Sequence, residues 1–248
     1  MARLLRWCIL VLLTVIVVLP KLRGQQSVDE DIAYLREKQA QRLRESELVT
    51  KELLAGKSSI PRNLVEDGKC IIIIPSVKKV AYVLGFSYGR GTMSCRLGED
   101  FRGPWSAPSM VALEGGTVGL QLGVQATDLV FLVLNERGVE SLLRNKIRLG
   151  ADVTVAAGPV GRSVEGATDL GMRAEILSYS HSGGLFAGVS VGGSTLRPDN
   201  AANDILYHRQ ISASQIVRNA RTPVPAAGRR LVTLLNVTTE GDAARAQE

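Results

Sequence analysis

The 248-residue chain has few histidines and cysteines, the residues that most often bind metals in proteins. It contains two histidines, His181 and His208, and three cysteines, and no pair of these stands at the spacing of metal ligands. Its carboxylates are scattered, so we expect no metal site and no other cofactor. Aromatic residues make up 4% of the chain, too few for the mixed basic and aromatic surfaces that bind nucleic acid. We therefore expect no nucleic-acid partner.

Serine hydrolase chemistry is also disfavoured, although two segments match the pattern G-x-S-x-G. These are Gly85–Gly89 around Ser87 and Gly188–Gly192 around Ser190. A nucleophile elbow needs a strand before the serine and a helix directly after it, and neither segment has that context. We predict that both are glycine-rich strand sequence and that the chain has no catalytic residues. A hydrolase using Ser190 is the least favoured of three functional hypotheses.

The N-terminus has the composition of a secretory signal peptide. Arg3 and Arg6 precede an apolar run, Cys8 to Leu19, that is too short to span a bilayer comfortably. We predict a signal peptide at residues 1–24, with an uncleaved anchor as the alternative, and export to the periplasm or cell envelope. Cleavage after Gly24 removes four basic residues and lowers the formal net charge from +6 to +2. The basic character of the whole chain is therefore a poor guide to its partners.

Cys70 and Cys95 both remain in the exported chain. An oxidising compartment permits a disulfide between them, and both lie in strand-like sequence, so they pair only if their strands are neighbours. The alternative is two buried apolar thiols, since free cysteine is among the most buried residue types. The sequence leaves both alternatives open.

The hydrophobic periodicity predicts an α+β fold. Ser27 and Glu30 stand at the spacing of a capping box, which predicts the start of an N-terminal helix. The β-branched run Cys70 to Ile74 indicates a buried strand, and the alternation from Thr117 to Gln125 indicates a half-buried one. Helical spacing returns between Val139 and Leu149. We predict a largely antiparallel, glycine-rich sheet with an N-terminal helix, one crossing helix and C-terminal helices.

Changes in composition divide the chain after the signal peptide into three parts. Residues 25–58 hold the N-terminal helix, whose polar middle indicates a solvated face packed on the domain by a thin apolar stripe. A membrane-seeking helix is the alternative. Residues 59–222 form the main domain. Residues 223–248 begin with two prolines and are predicted to be a linker and a polar tail, disordered beyond Asn236.

Basic residues recur in the predicted loops between Lys57 and Arg102, close to Trp105. Basic side chains beside an exposed aromatic residue suit an interface with anionic lipid headgroups, although solvated loops are the commoner meaning of such charges. The candidate lipid-binding residues are Lys57, Lys69, Lys78, Lys79, Arg90 and Trp105.

An ordered series of short motifs runs from Ser59 to His208. The series comprises Ile60-Pro61, Ile74-Pro75, Trp105-Ser106-Ala107-Pro108, Gly119 to Asp128, Leu149 to Asp152, Ala157 to Arg162, Ser178-Tyr179-Ser180 and Gly184 to Val189. It resembles the SYLF domain family, also described as an actin-regulator or lipid-binding domain family, in a bacterial-type exported form.

The resemblance implies binding of phosphoinositides and other anionic lipids, helped by an amphipathic N-terminal segment, and binding of actin filaments in some members. No catalytic residues belong to the family pattern, and His181 would be a substituted surface position. An exported protein meets neither phosphoinositides nor actin, so the lipid species stays open. Our leading hypothesis is a non-enzymatic module that docks on an anionic phospholipid membrane. The alternative is a structural or protein-interaction module of the cell envelope.

Overall fold

The computed structural model describes residues 29–53, 60–81, 84–118, 123–144, 146–160, 174–182, 185–189 and 191–243. The predictions made for residues 1–24, for Ser27, for Lys57 and for Ser190 lie outside these ranges. The contacts divide the chain into two compact units, residues 1–39 and residues 40–248. In the first unit, residues 29–39 are helical, and the Lys38 ammonium lies 4.7 Å from the centroid of the Tyr34 ring.

Six helices and nine strands follow one another in the described part of the chain. Helix α1 covers residues 29–53. The other elements are α2 (Arg62–Asp67), β1 (Cys70–Ala81), β2 (Leu84–Cys95), β3 (Ser109–Val118), β4 (Gly123–Val133), α3 (Glu136–Arg144), β5 (Ile147–Arg148), β6 (Val155–Ala157), β7 (Ile176–Ser182), β8 (Leu185–Gly188), β9 (Thr195–Pro198), α4 (Asn200–Tyr207), α5 (Ala213–Val217), a 3₁₀ turn (Ala226–Gly228) and α6 (Arg229–Ala243).

The strands form one sheet in the order β5-β9-β3-β2-β1-β4-β7-β6, and β8 also pairs with β7. Among the described strand pairs, only β6 and β7 are parallel, and one isolated parallel bridge joins Leu149 to Val153. Strand β1 lies in the middle, antiparallel to both β2 and β4. The predicted α+β class is confirmed, with its largely antiparallel sheet, N-terminal helix, crossing helix α3 and C-terminal helices.

Strand β1 supplies side chains to two hydrophobic cores, because successive residues of a strand point to opposite faces of the sheet. Ile72 and Ile74 pack in a core that α3 and α5 also line, whereas Ile71 and Ile73 pack in a core completed by α1 and α6. All four isoleucines are at most 1% exposed, and full burial of one such side chain contributes roughly 2 kcal/mol. This burial on both faces is why the run has no polar alternation.

The second half of α1 packs through a narrow stripe. Leu43, Val49 and Leu53 are buried in the second core, whereas Leu48 is exposed between them. The stripe follows the helical period, as expected for a helix that buries one face.

Two predicted elements differ in extent from those of the structure. Helix α3 ends at Arg144 rather than Leu149, because Ile147 belongs to β5 and Gly150, with φ +83°, turns the chain. The alternation predicted as one strand from Thr117 to Gln125 is divided between two strands. Strand β3 ends at Val118 and β4 begins at Gly123, and each pairs with a different neighbour. The alternation of apolar and polar residues alone does not show where one strand ends and the next begins.

The prediction of a linker and a disordered tail at residues 223–248 is wrong over most of its length. Helix α6 occupies Arg229–Ala243, and Leu231 and Leu235 are each 1% exposed in the second core. These two leucines are one helical turn apart, so they face the same side of the helix. Arg229, Arg230 and Thr233 of the same helix are exposed, so the helix carries polar residues beside its buried leucines, and the composition of the segment resembles that of a tail.

Candidate functional site

Among the candidate lipid-binding residues whose side chains the structure describes, Lys78 is the most accessible. Its side chain is exposed on β1, opposite Tyr88 of β2 and Ala126 of β4. It makes no hydrogen bond or ion pair with another described residue. Lys79 takes the next position on β1, so two consecutive lysines occupy this part of the strand.

A β-bulge sets the face on which Lys78 lies. The pairing register of β1 shifts between Ile74 and Val77, and Ser76 within the bulge has φ +50°. The Ser76 N–H donates to Oδ1 of Asp128 at 2.8 Å. Because bulges redirect the side chains that follow them, this bond fixes the orientation of the lysine-bearing end of β1.

Trp105 does not fit the role predicted for it. The side chain was expected at the surface, but the residue is 3% exposed and packs in the second core. The Arg96 guanidinium lies 4.6 Å from its ring centroid, and the Arg96 Nε donates to Gly68 O at 3.3 Å. Burial lowers the pKa of Arg96, partly offset by Glu66 and Asp67. The Trp105 ring therefore takes part in a buried cation–π contact.

Lys69 and Arg90 both have partners inside the protein. The Lys69 ammonium donates to Asp100 O at 2.8 Å. The Arg90 guanidinium donates from Nε to the Tyr88 hydroxyl, and its Nη1 lies 3.2 Å from Oδ2 of buried Asp199. Burial acts to lower the pKa of Arg90, but the Tyr88 hydrogen bond and the carboxylates raise it above its ordinary value. Arg90 thus holds β2 to the start of α4.

His181 lies at the centre of a second polar cluster and is not the surface position that was predicted. The residue is 6% exposed, and its ring stacks against Phe186 at 4.4 Å. Its Nδ1 lies 3.0 Å from Oδ2 of Asp128, and its Nε2 lies 2.6 Å from Oε2 of Glu52. The Nδ1 contact has hydrogen-bond geometry, whereas the Nε2 contact has only the distance of an ion pair. The imidazole therefore links α1, β4 and β7.

Nothing in the described residues resembles a nucleophile elbow or a metal centre. Ser87 lies within β2, is 5% exposed, and donates its hydroxyl hydrogen to Gly115 O at 3.3 Å. No group of three His, Cys, Asp or Glu side chains converges as metal ligands within the described ranges. In the same part of the chain, no helix has the length and hydropathy needed to cross a bilayer.

Cys70 and Cys95 are directly opposite each other on β1 and β2. Their Cα atoms are 4.0 Å apart, and their sulfur atoms are bonded at 2.00 Å. Both residues are fully buried in the first core. A buried cross-strand disulfide therefore joins the start of β1 to the end of β2.

The fold defines an α+β domain in which helices cover both faces of an antiparallel sheet. Residues 114–238 match the family model described as "Ysc84: Las17-binding protein actin regulator", and the chain belongs to this family. The predicted membership of the SYLF family is thereby confirmed. The match extends through most of α6, so the family domain continues beyond the boundary predicted at residue 222.

Curated relatives agree with this assignment. The human protein "SH3 domain-containing YSC84-like protein 1" is 35% identical over 73% of this chain and 52% of its own length. "Protein YSC84" of Saccharomyces cerevisiae is 34% identical over 80% of this chain and 42% of its own. "LAS seventeen-binding protein 3" of the same yeast is 34% identical over 76% of this chain and 41% of its own. The chain spans about half the length of these relatives.

Proposed function

We propose that this chain is a non-enzymatic binding domain that docks on anionic lipid surfaces, with Lys78 and Lys79 among the first contacts. The observation that carries the proposal is the exposure of Lys78, which makes no hydrogen bond or ion pair with another described residue. Each basic residue near an anionic membrane contributes about 1 kcal/mol. The remaining candidates are weaker, since Lys69 and Arg90 bind protein groups and Trp105 is buried.

Vesicle co-sedimentation of the full chain tests the proposal. We expect binding to phosphatidylcholine vesicles that contain phosphatidylserine, no binding to phosphatidylcholine alone, and weaker binding at high salt, because salt screens exposed charges. Lys78→Glu should weaken binding about tenfold or more, since it replaces an attraction by a repulsion. Arg148→Glu is the matched control, because Arg148 is also exposed but lies on β5 at the sheet edge. Equal binding by the two variants would exclude Lys78 as a contact.

We also propose that the chain is exported. A buried disulfide between β1 and β2 supports this, because such bonds persist in oxidising compartments. Expression of the full chain in a bacterium, followed by sequencing of the mature N-terminus, should show a start near Gln25. Recovery of the protein from the soluble cytoplasmic fraction with residues 1–24 still attached would contradict export.

Protein binding is the second candidate function, and one structural observation favours it. Strand β8 pairs with β7 only among the described strands, and its Leu185 is 62% exposed. An open strand edge with an apolar side chain can add a strand from a partner. The description of the matching family and the name of one relative, "LAS seventeen-binding protein 3", both refer to Las17 binding. Titration of the purified chain with Las17 tests this function, and Leu185→Asp should abolish any binding through β8.

A further inference from the structure

A cavity of about 260 Å³ lies where α3, β9, α4 and α5 meet. Among the described residues, its lining includes three basic side chains and no acidic one, and the basic residues are Arg144, Lys146 and Arg197. The lining also contains the polar residues Asn200, Ser212 and Ser214 and the apolar residues Leu143, Pro198 and Ala213. This cavity is smaller than those that enclose drug-sized molecules. Its size and charge suit a small anion.

Two of the three cations have no counter-ion among the described residues. Arg144 and Lys146 are exposed and make no hydrogen bond or ion pair with another described residue. Arg197 is different, because its Nη2 donates to Oε1 of Glu114 at 2.8 Å and its Nε donates to the same atom at 3.2 Å. Glu114 therefore neutralises one cation, and two positive charges remain at the cavity.

The elements around the cavity are held together by local bonds. Asn200 begins α4, and its Oδ1 accepts a hydrogen bond from the Ala213 N–H at the start of α5, at 3.3 Å. A capping box between Ser212 and Gln215 fixes the first turn of α5. The polar groups of the lining are thus placed before any ligand arrives, which reduces the entropy that binding must overcome.

A second cavity shows that the charge of the first is not a general property of this surface. It has a volume of about 370 Å³ and is lined by Arg137, Asp152 and Glu175 among others. Arg137 pairs with Glu175 there, at 3.2 Å. That cavity carries no net positive charge.

We propose that the cavity between α3, β9, α4 and α5 binds a phosphate-class oxyanion. Arginine and lysine donate charge-assisted hydrogen bonds to phosphate oxygens, and the Ser214 hydroxyl and the Asn200 side-chain amide offer further donors. The anion can be free phosphate or the phosphate of a lipid headgroup. The site is separate from Lys78, which lies on β1 in the middle of the sheet.

Isothermal titration calorimetry of the full chain with inorganic phosphate tests the first source. We expect saturable binding by the wild type and about tenfold or greater weakening in the double variant Arg144→Gln/Lys146→Gln, because two charge-assisted bonds are lost. The control is Arg229→Gln/Arg230→Gln, which removes the same charge from exposed positions on α6. It should bind phosphate as the wild type does. Thermal unfolding of both variants checks that each remains folded.

Phosphatidylcholine vesicles that contain phosphatidic acid test the second source. If Arg144→Gln/Lys146→Gln, the cavity variant, loses phosphate binding but still binds vesicles, the cavity binds free phosphate. If the cavity variant loses vesicle binding and the control variant does not, the cavity binds a lipid headgroup. The proposal is overturned if the cavity and control variants bind both probes equally, or if the wild type binds neither. Lys78→Glu should weaken vesicle binding but leave phosphate binding unchanged. The experiments therefore distinguish an error in the cavity proposal from an error in the proposed docking surface.

Discussion

Gly158 lies directly against the ring of Tyr179, so closely that a Cβ atom at position 158 would lie 2.0 Å from the Tyr179 Cζ. The Gly158 N–H also donates to Ser178 O at 3.1 Å. Gly158 belongs to the sequence Ala157-Gly158-Pro159 and Tyr179 to Ser178-Tyr179-Ser180. Two motifs that are separate in the sequence therefore form one contact, in which only glycine leaves room for the ring.

Gly158→Ala should destabilise the protein by about 1 to 3 kcal/mol, because the added methyl group overlaps a fully buried ring. Gly192→Ala is the matched control, since a Cβ there meets no atom within 4 Å. Urea denaturation monitored by circular dichroism measures both changes. Similar stability of the two variants would show that the ring moves aside at little cost.

Tyr179 and Tyr207 should make the protein sensitive to alkali. Burial raises the pKa of both phenols above the ordinary value of about 10, and Arg209 partly offsets this for Tyr207. The unfolded chain loses these protons first, so the stability from the neutral phenols is complete below about pH 10 and falls as pH rises further. Urea denaturation across this range should show the fall, and Tyr179→Phe and Tyr207→Phe should each reduce it. If the unfolding free energy of both variants fell with pH as steeply as that of the wild type, the buried phenols would not be the cause.

At neutral pH the same two variants should differ. The Tyr207 hydroxyl donates to Pro108 O at 2.8 Å, whereas the Tyr179 hydroxyl has no hydrogen-bond partner among the described residues. Tyr207→Phe should therefore cost about 1 kcal/mol, and Tyr179→Phe should cost less or increase stability. The order of the two midpoints in urea decides the matter, and the reverse order contradicts the prediction.

The two carboxylates at His181 should contribute unequally. Asp128 accepts hydrogen bonds from both His181 and the Ser76 N–H, whereas Glu52 is half exposed and, among the described residues, pairs with His181 alone. Asp128→Ala should cost about 1 to 3 kcal/mol, since two donors lose their acceptor. Glu52→Ala should cost clearly less, because water replaces an exposed partner. Thermal unfolding of the two variants gives the order, and a larger loss for Glu52→Ala would be inconsistent with this geometry.

Removal of the disulfide should destabilise the chain by about 3 kcal/mol, as estimated for a closed loop of 25 residues. The double variant Cys70→Ala/Cys95→Ala should unfold at lower urea concentration than the oxidised wild type. Addition of dithiothreitol should lower the wild-type midpoint and leave that of the variant unchanged. A wild-type midpoint that does not respond to the reductant would argue against the bond.

Helix α6 should be necessary for stability. Leu235→Ala should cost about 2 to 4 kcal/mol, because Leu235 is fully buried between α6 and the sheet. Val237→Ala is the control two residues away, since Val237 is 60% exposed and its loss should change little. Chemical denaturation compares the two, and an equally small effect would place α6 outside the cooperative core.

Local sequence signals predicted the elements whose character depends on neighbouring residues. The Ser27 and Glu30 spacing predicted a helix where residues 29–53 are helical, and the unbroken run Cys70 to Ile74 predicted the central strand. The same rules failed where one spacing of apolar residues is compatible with both a helix and a strand. Ile147 and Leu149 continue the apolar spacing of α3, but both are buried in β-structure instead. The prediction could not choose between these two forms of burial.

The candidate site was predicted less well, because side-chain accessibility depends on distant residues. Trp105 is buried beneath Arg96, and its backbone N–H donates to Oδ1 of Asn236 in α6, a helix that was predicted as a tail. The His181 cluster was missed because its carboxylates come from α1 and β4. One signal was present. Asp128 stands directly before the apolar run Leu129–Val133, and a carboxylate entering a buried strand needs a partner.

Alternate side chains of β1 pack in two different cores, so the two cores should unfold together. If β1 slipped by one residue relative to β2, Ile71 and Ile73 would exchange faces with Ile72 and Ile74, and both cores would lose their packing at once. The disulfide at the start of β1 and the Ser76–Asp128 bond in the bulge hold that register at two points. Helices α1 and α6 on one face and α3 and α5 on the other therefore share one strand, and residues 40–243 should melt in a single transition rather than layer by layer.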